Sequence, residues 1–341
     1  MTQLKERLRA LCSISTVSGF ELAQGCVLTD EEKTSLDEIK VDKMGNLILV
    51  KKSKKQGAKK LMLDAHLDII GFMVTEICEK GFLRVVNIGG LDTRVLPATH
   101  VTINGKEKLF GVITSTPPHL RTGESKVPKI EDLFIDTGMS KEKLEEIVSI
   151  GDTASFSPIF TPLLNNYVSG VGLDDKSCAC AILDFLCSVD SEKLEYDVYA
   201  ILSVQEEVGR GGPARVAFEL DPYIAIITDV NFAKQEGVSS EESIQCGKGP
   251  SVDISSLCDR RLTKNIIKLF KENSLEHQII CEAGRTGTNN ECISISAQGI
   301  RTAVLSLPLK SMHTPSEVVR LEDIKALSRA FELIATAKEE L

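Results

Sequence analysis

The sequence has no surplus of basic residues, no paired C-x-x-C, no apolar run long enough to cross a bilayer and no low-complexity tract. Each absence removes a class of function. Forty Lys and Arg against 49 Asp and Glu leave a formal net charge of -9, so no cationic excess exists to displace counterions from a phosphate backbone, and nucleic acid is not an expected partner. The one basic run, from Lys51 and Lys52 through Lys54, Lys55, Lys59 and Lys60, lies between two apolar segments and reads as a solvated loop. Nowhere does an uncharged stretch approach the roughly 20 residues that span a bilayer. At the start of the chain Leu4, Leu8 and Leu11 recur at helical spacing among Lys5, Glu6, Arg7 and Arg9, an amphipathic helix rather than the apolar core of a signal peptide. A soluble protein with no membrane partner is expected. The ten cysteines show neither disulfide-framework nor zinc-ribbon spacing, and Cys178, Cys180 and Cys187 share one helical segment. They read as buried apolar side chains in a reducing, cytoplasmic protein. Gly209-Arg210-Gly211-Gly212-Pro213 has neither G-x-G-x-x-G nor the Lys-Ser/Thr ending of a P-loop, and reads as a turn.

What is present is a chain of 341 residues, 42% hydrophobic, long enough for one large core or two modest ones. Four short apolar runs, Leu61 to Ala65, Val198 to Val204, Ile224 to Val230 and Thr302 to Leu307, predict strands buried on both faces. Ser177 to Cys187, Leu262 to Glu272 and Leu321 to Ala337 carry apolar residues at three- and four-residue spacing and predict helices, so the alternation describes an α/β sheet with helices on its faces. From Phe72 to Pro158 the texture is all-β. Phe82 to Val86, His100 to Ile103 and Phe110 to Thr114 are short candidate strands separated by glycines, a small β-domain inserted into the larger body.

Polar groups gather where the buried strands end. In Ala65-His66-Leu67-Asp68 a period of two turns His66 and Asp68 to the same side. His66 would suit a metal with Asp68 accepting from its other ring nitrogen, or the two form a buried His-carboxylate pair. Asp174 and Asp175 sit in a tight turn before a helix, where N-capping is the simpler reading of the pair alone. Glu206 and Glu207 follow the run ending at Val204; like charges leaving a buried strand call for a cation, and divergent neighbours allow one to hold metal while the other acts as general base, a solvated loop being the alternative. Asp229 and His313 also follow apolar runs, at the sheet edge where α/β sites assemble. Two imidazoles and at least three carboxylates are an N/O donor set typical of a hydrolytic metal centre.

These residues carry a resemblance. With Ser18-Gly19-Phe20-Glu21, Gly89-Gly90, Pro117-Pro118-His119-Leu120, Gly151-Asp152, Leu173-Asp174-Asp175-Lys176, Gln205-Glu206-Glu207-Val208-Gly209, Thr228-Asp229-Val230 and Met312-His313-Thr314-Pro315, the chain resembles, nearly end to end, the tetrahedral aminopeptidases, the group that includes glutamyl and deblocking aminopeptidases. The resemblance implies a three-layer α/β/α zinc-peptidase-like catalytic domain, residues 1–70 and 159–341, with a small β-barrel-like, PDZ-like lid and oligomerisation domain at 71–158. It implies two divalent metal ions per subunit, zinc first, with cobalt or manganese as the other candidates. One would be held by His66, Asp174 and Asp229, the other by Asp174, Glu207 and His313. Glu206 would move the proton from the attacking water to the leaving amine, and Asp68 would orient His66. It further implies short peptides as substrates and self-assembly into hollow particles, often of twelve subunits.

Three positions depart from the family pattern: Ile69, where Glu or Gln is frequent, Cys178, where Gly is common, and Asn289, where Asp is usual. None is an implied ligand, although Ile69 and Asn289 are expected near the metal centre. Two other functions stay open: a carboxypeptidase or deacylase on the same scaffold, and a noncatalytic metal-binding assembly protein. Glycoside cleavage, a label some relatives carry, gains little from this donor set, because glycosidases normally work with two carboxylates and no metal.

Overall fold

The computed structural model describes residues 1–21, 28–115, 127–339 and 341; the Pro117-Pro118-His119-Leu120 segment lies outside them. An eight-stranded sheet runs in the order Glu38–Val41, Leu47–Lys51, Tyr196–Ser203, Lys59–His66, Ile224–Phe232, Thr302–Leu309, Ser251–Ser255 and Gln278–Glu282. Its four central strands, from Tyr196–Ser203 to Thr302–Leu309, are mutually parallel, and both flanks join antiparallel. Each predicted buried strand forms: three are two or three residues longer than their apolar runs, while the run ending at Val204 starts two residues earlier and stops at Ser203.

Strand periodicity sorts side chains between the two faces. Leu61, Leu63 and Ala65 join Ile224, Ile226, Ala200 and Leu202 in one core under the helices Thr2–Cys12, Leu173–Ser188, Arg260–Glu272 and Leu321–Ala335. Met62, Ile201, Ala225 and Ile227 face Val216, Ala217 and Ile293, from the helices Gly211–Leu220 and Asn290–Ile293. That is the three-layer α/β/α arrangement. The first core is closed by Phe185 against Phe331, ring centroids 6.1 Å apart, both fully buried. Phe331→Ala is expected to cost about 3–5 kcal/mol through lost transfer energy and a cavity, read as a lower urea midpoint with an unchanged slope.

Gly71–Ile77, Phe82–Ile88, His100–Asn104, Lys108–Thr114, Phe134–Asp136 and Thr153–Phe156 close into a six-stranded barrel around its own core, in which Phe72 meets Phe156 edge-on at 5.7 Å. The β texture of this stretch therefore corresponds to a closed barrel, with one correction: it also carries the helix Lys141–Ile147. The basic run needs a second correction. Lys51 is not solvated but ends a strand, buried, with Nζ donating to the Leu186 carbonyl at 2.6 Å, and burial lowers its pKa; a Lys interrupts the apolar pattern here because its head reaches a free helix carbonyl.

Among the described residues no helix is long and apolar enough to cross a membrane. The nine described cysteines are free, with Cys12, Cys178 and Cys180 buried and Cys281 exposed.

Candidate metal centre

The four parallel strands end on one edge, at the crevice where chains leaving adjacent strands diverge to opposite faces. His66 closes Lys59–His66 and pairs in register with Ser203, the last residue of the strand that leads to the Glu206 turn, while Asp229 lies near the end of the next strand opposite Ser306. Asp174 enters from the start of Leu173–Ser188 and His313 from the loop after Thr302–Leu309.

Here the capping reading of the paired aspartates fails. Gly172 holds the N-cap position without a side-chain cap bond, and Asp174 and Asp175 have non-helical backbone angles, which frees the Asp174 carboxylate to point into the crevice. Its Oδ1 lies 3.1 Å from His66 Nε2 and its Oδ2 3.3 Å from His313 Nε2. Asp229 Oδ1 is 3.8 Å from His66 Nε2, and Glu207 Oε1 is 3.4 Å from His313 Nε2. Two donor groups result, His66–Asp174–Asp229 and Asp174–Glu207–His313, each with its ligand atoms within 4.8 Å of one another. Asp174 belongs to both. Burial opposes charge on the His66 ring, but the carboxylates of Asp174 and Asp68 outweigh it and hold the pKa well above its ordinary value. His313, partly desolvated but facing Asp174 and Glu207, is raised to about 11. Burial pushes the Asp229 and Glu207 carboxyls up. Three carboxylates crowded with two imidazoles form a site where positive charge is strongly favoured, and this mixture of N and O donors fits a divalent ion.

The supporting contacts are specific. His66 Nδ1 faces the Asp68 backbone oxygen at 3.0 Å and the Asp68 carboxylate at 3.5 Å. That carboxylate is also occupied elsewhere: its two oxygens accept from the backbone N–H groups of Glu206 and Glu207, each at 3.1 Å. Glu21 accepts from the preceding amide, Gln205, at 3.1 Å. Two carboxylates thus clamp three successive amides and set the direction of the glutamate pair. Glu206, only 9% exposed, lines a cavity of about 420 Å³ together with both histidines, Asp174, Glu207 and Asp229. Gly90, two residues past the barrel strand Phe82–Ile88, lines this cavity. Gly89 has φ +76°, and a Cβ there would stand 2.7 Å from the Ile70 side chain, while one on Gly90 would stand 3.2 Å from His313 Nδ1. Side chains at either position would crowd the second donor group.

Sequence reasoning missed two neighbours of the donor groups, Glu317 and Arg210. Glu317 accepts from the Asp174 N–H at 3.2 Å and the His313 N–H at 2.9 Å, fixing two donors of the second group; nothing in the sequence near Glu317 signals this. Arg210, read only as part of a turn, does occupy one, with φ +61°, but its side chain donates to Glu206 at 2.6 Å, Glu291 at 2.8 Å and the Gly287 carbonyl at 2.7 Å. Cys178 donates its thiol to the Asp229 carbonyl. Asn289 lies behind the site, donating to Asp64 at 2.8 Å and Ser203 at 3.0 Å. Ile69 lines a smaller cavity beside Cys12 and Val171.

Below the cavity floor, Asp253 accepts from the Ser251 and Ser306 hydroxyls. Burial, aided by Glu282 and opposed by those hydroxyls, pushes its pKa to about 7. A raised carboxylate pKa means that folding disfavours the charged form, so Asp253 costs stability progressively as pH rises from about 4 to about 7. Asp253→Asn is neutral throughout, and its stability relative to the parent is expected to rise between pH 5 and pH 8 by on the order of a few kcal/mol. Urea titrations at both pH values check this; a difference that shrinks with pH contradicts it.

Comparison with known proteins follows the same lines. A family model described as M42 glutamyl aminopeptidase matches residues 45–329. The chain is 33% identical to a lysyl aminopeptidase of Pyrococcus furiosus over 98% of its own length and 97% of the relative's. It superposes on an aminopeptidase of the archaeon Desulfurococcus kamchatkensis with a TM-score of 0.92 at 29% identity, covering 98% of this chain and 95% of that one. On the TET1 peptidase of Pyrococcus horikoshii, described as assembling into a tetrahedron or a large octahedral shell, it superposes with a TM-score of 0.85 at 31% identity, covering 98% and 99%. With a match this long, the chain belongs to the M42 glutamyl aminopeptidase family and is a peptide-bond hydrolase of the aminopeptidase type.

Proposed function

We propose that the protein removes N-terminal residues from short peptides at a two-metal centre, His66, Asp174 and Asp229 holding one divalent ion and Asp174, Glu207 and His313 the other. The observation that carries this reading is the pair of compact donor groups sharing Asp174, with a further carboxylate, Glu206, on the same cavity wall. Zinc is the first choice of ion, cobalt and manganese being compatible with the same donors. When bound, such ions supply Lewis acidity, polarising the scissile carbonyl and lowering the pKa of the attacking water.

The chain's own groups do the rest. Glu206 takes a proton from the attacking water and returns it to the nitrogen of the leaving peptide. Arg210 holds one Glu206 oxygen at 2.6 Å and so keeps the carboxylate aimed while the other oxygen works. Asp68 fixes the His66 ring and, through the Glu206 and Glu207 amides, the separation of base and ligand. Residues 1–70 and 159–341 form the catalytic domain, and 71–158 an inserted domain that covers the site at Gly89-Gly90 and makes subunit contacts. Assembly into a hollow cytoplasmic homo-oligomer of twelve subunits, supported by the shells described for the Pyrococcus horikoshii protein, would admit short peptides and exclude folded proteins.

The test is a peptide library offered with free and with acetylated N-termini to protein loaded with zinc, cobalt or manganese, beside chelated protein, with bound metal counted and particle mass measured by light scattering. Stepwise release from free N-termini alone, dependent on two metal equivalents per subunit, is the expected result. Release from the carboxyl end, or bound metal with no release from any peptide, would overturn it.

A further inference from the structure

The catalytic cavity extends past the donor groups to a carboxylate that the mechanism does not use. Glu282 closes the edge strand Gln278–Glu282 and lines the same cavity as His66, Asp174 and Glu206. Its Oε1 accepts a 3.3 Å hydrogen bond from Asn231 Nδ2, while its Oε2 is buried without a hydrogen-bond partner among the described residues. A buried acceptor left unpaired in a substrate cavity is costly, and a ligand group that supplies its missing donor removes that cost. The cavity's guanidinium does not answer the need, since Arg210 is committed to Glu206, Glu291 and Gly287.

Position says what would reach it. Asn231 is two residues beyond Asp229 on one strand, so the two side chains leave the same face about 7 Å apart along the strand. A substrate residue whose α-carbon lies beside the donor groups needs a side chain of that reach to touch the Glu282 carboxylate. Phe232 and Met312 also line the cavity and offer apolar surface to an aliphatic stem. An aliphatic stem with a terminal cation matches all three features, whereas an N-terminal glutamate would set like charge against Glu282.

We infer that Glu282, held by Asn231, is the specificity determinant of the cavity and selects peptides with lysine or arginine at the N-terminus. This rests on the aminopeptidase reading above and adds the substrate class.

The metal-loaded enzyme is assayed on four peptides differing only in an N-terminal Lys, Arg, Leu or Glu. The expected order of kcat/KM is Lys and Arg above Leu by roughly tenfold or more, with Glu lowest, the scale of one well-placed ion pair. Glu282→Gln, which keeps the shape and the Asn231 contact, is expected to collapse the Lys-to-Leu ratio to near one, mainly through KM. Glu282→Arg should move the preference toward the glutamyl peptide. A parent enzyme that prefers Leu or Glu overturns the inference, and so does a Glu282→Gln variant that slows Lys and Leu peptides equally, the mark of a carboxylate that binds the α-ammonium of every substrate. Hydrolysis of none of the four sinks the aminopeptidase reading itself; hydrolysis without basic preference sinks only the role of Glu282.

Discussion

Glu206→Gln is expected to lower kcat by about 10²–10⁴-fold, the range that positioned general acid-base groups contribute, with two metal equivalents still bound. The amide has the carboxylate's shape and can still accept from Arg210 Nε, now 2.6 Å from Glu206 Oε1, but it cannot take a proton from water. Neither donor group contains Glu206, so metal content should not change. Because the interaction lost belongs to the transition state, kcat and kcat/KM should fall together. Single-turnover kinetics beside elemental analysis of the same sample settles the matter. A fall smaller than about tenfold would place the base elsewhere, and a fall accompanied by metal loss would make Glu206 a ligand.

Asp174→Asn should be more damaging, since one side chain serves both donor groups. Its two oxygens lie 3.1 Å from His66 Nε2 and 3.3 Å from His313 Nε2, and an amide must turn a non-ligating NH₂ toward one of them. Metal content is expected to fall to one equivalent or less per subunit and activity by at least about 10³-fold, the scale of removing a preorganised electrostatic group. Asp229→Asn is the control: it belongs only to the His66 group, so the Glu207–His313 group should still bind its ion. Calorimetric metal titration of both variants provides the comparison. Two tight equivalents in Asp174→Asn would show that Asp174 does not bridge.

The legible part of the site consists of residues with a local signature. His66, Glu206, Glu207, Asp229 and His313 each follow a run of apolar residues, and a polar group just past a buried strand must sit at the sheet edge because the run before it pins the register. Asp174 was different. Local reasoning favours a helix cap for it, and only the observed backbone angles of the turn point its carboxylate at the histidines. The β character of the insert was visible as texture, though neither its closure into a barrel nor the helix Lys141–Ile147 within it, whose seven residues are too few for a clear period against a β background.

By itself, then, the sequence determined the α/β body, the β character of the insert and the chemical types gathered at one sheet edge, because periodicity and strand-exit position are properties of neighbouring residues, and its motifs carried the resemblance to the family. The tertiary structure alone decided what holds them there. Asp68 reaches the Glu206 amide across 138 residues, and Glu317 the Asp174 amide across 143. Glu282 comes to the cavity through Asn231, 51 residues earlier. A carboxylate bonded to a distant backbone amide looks, in sequence, like any surface acid; the difference is burial, which arises only when the strands and helices that enclose it have packed.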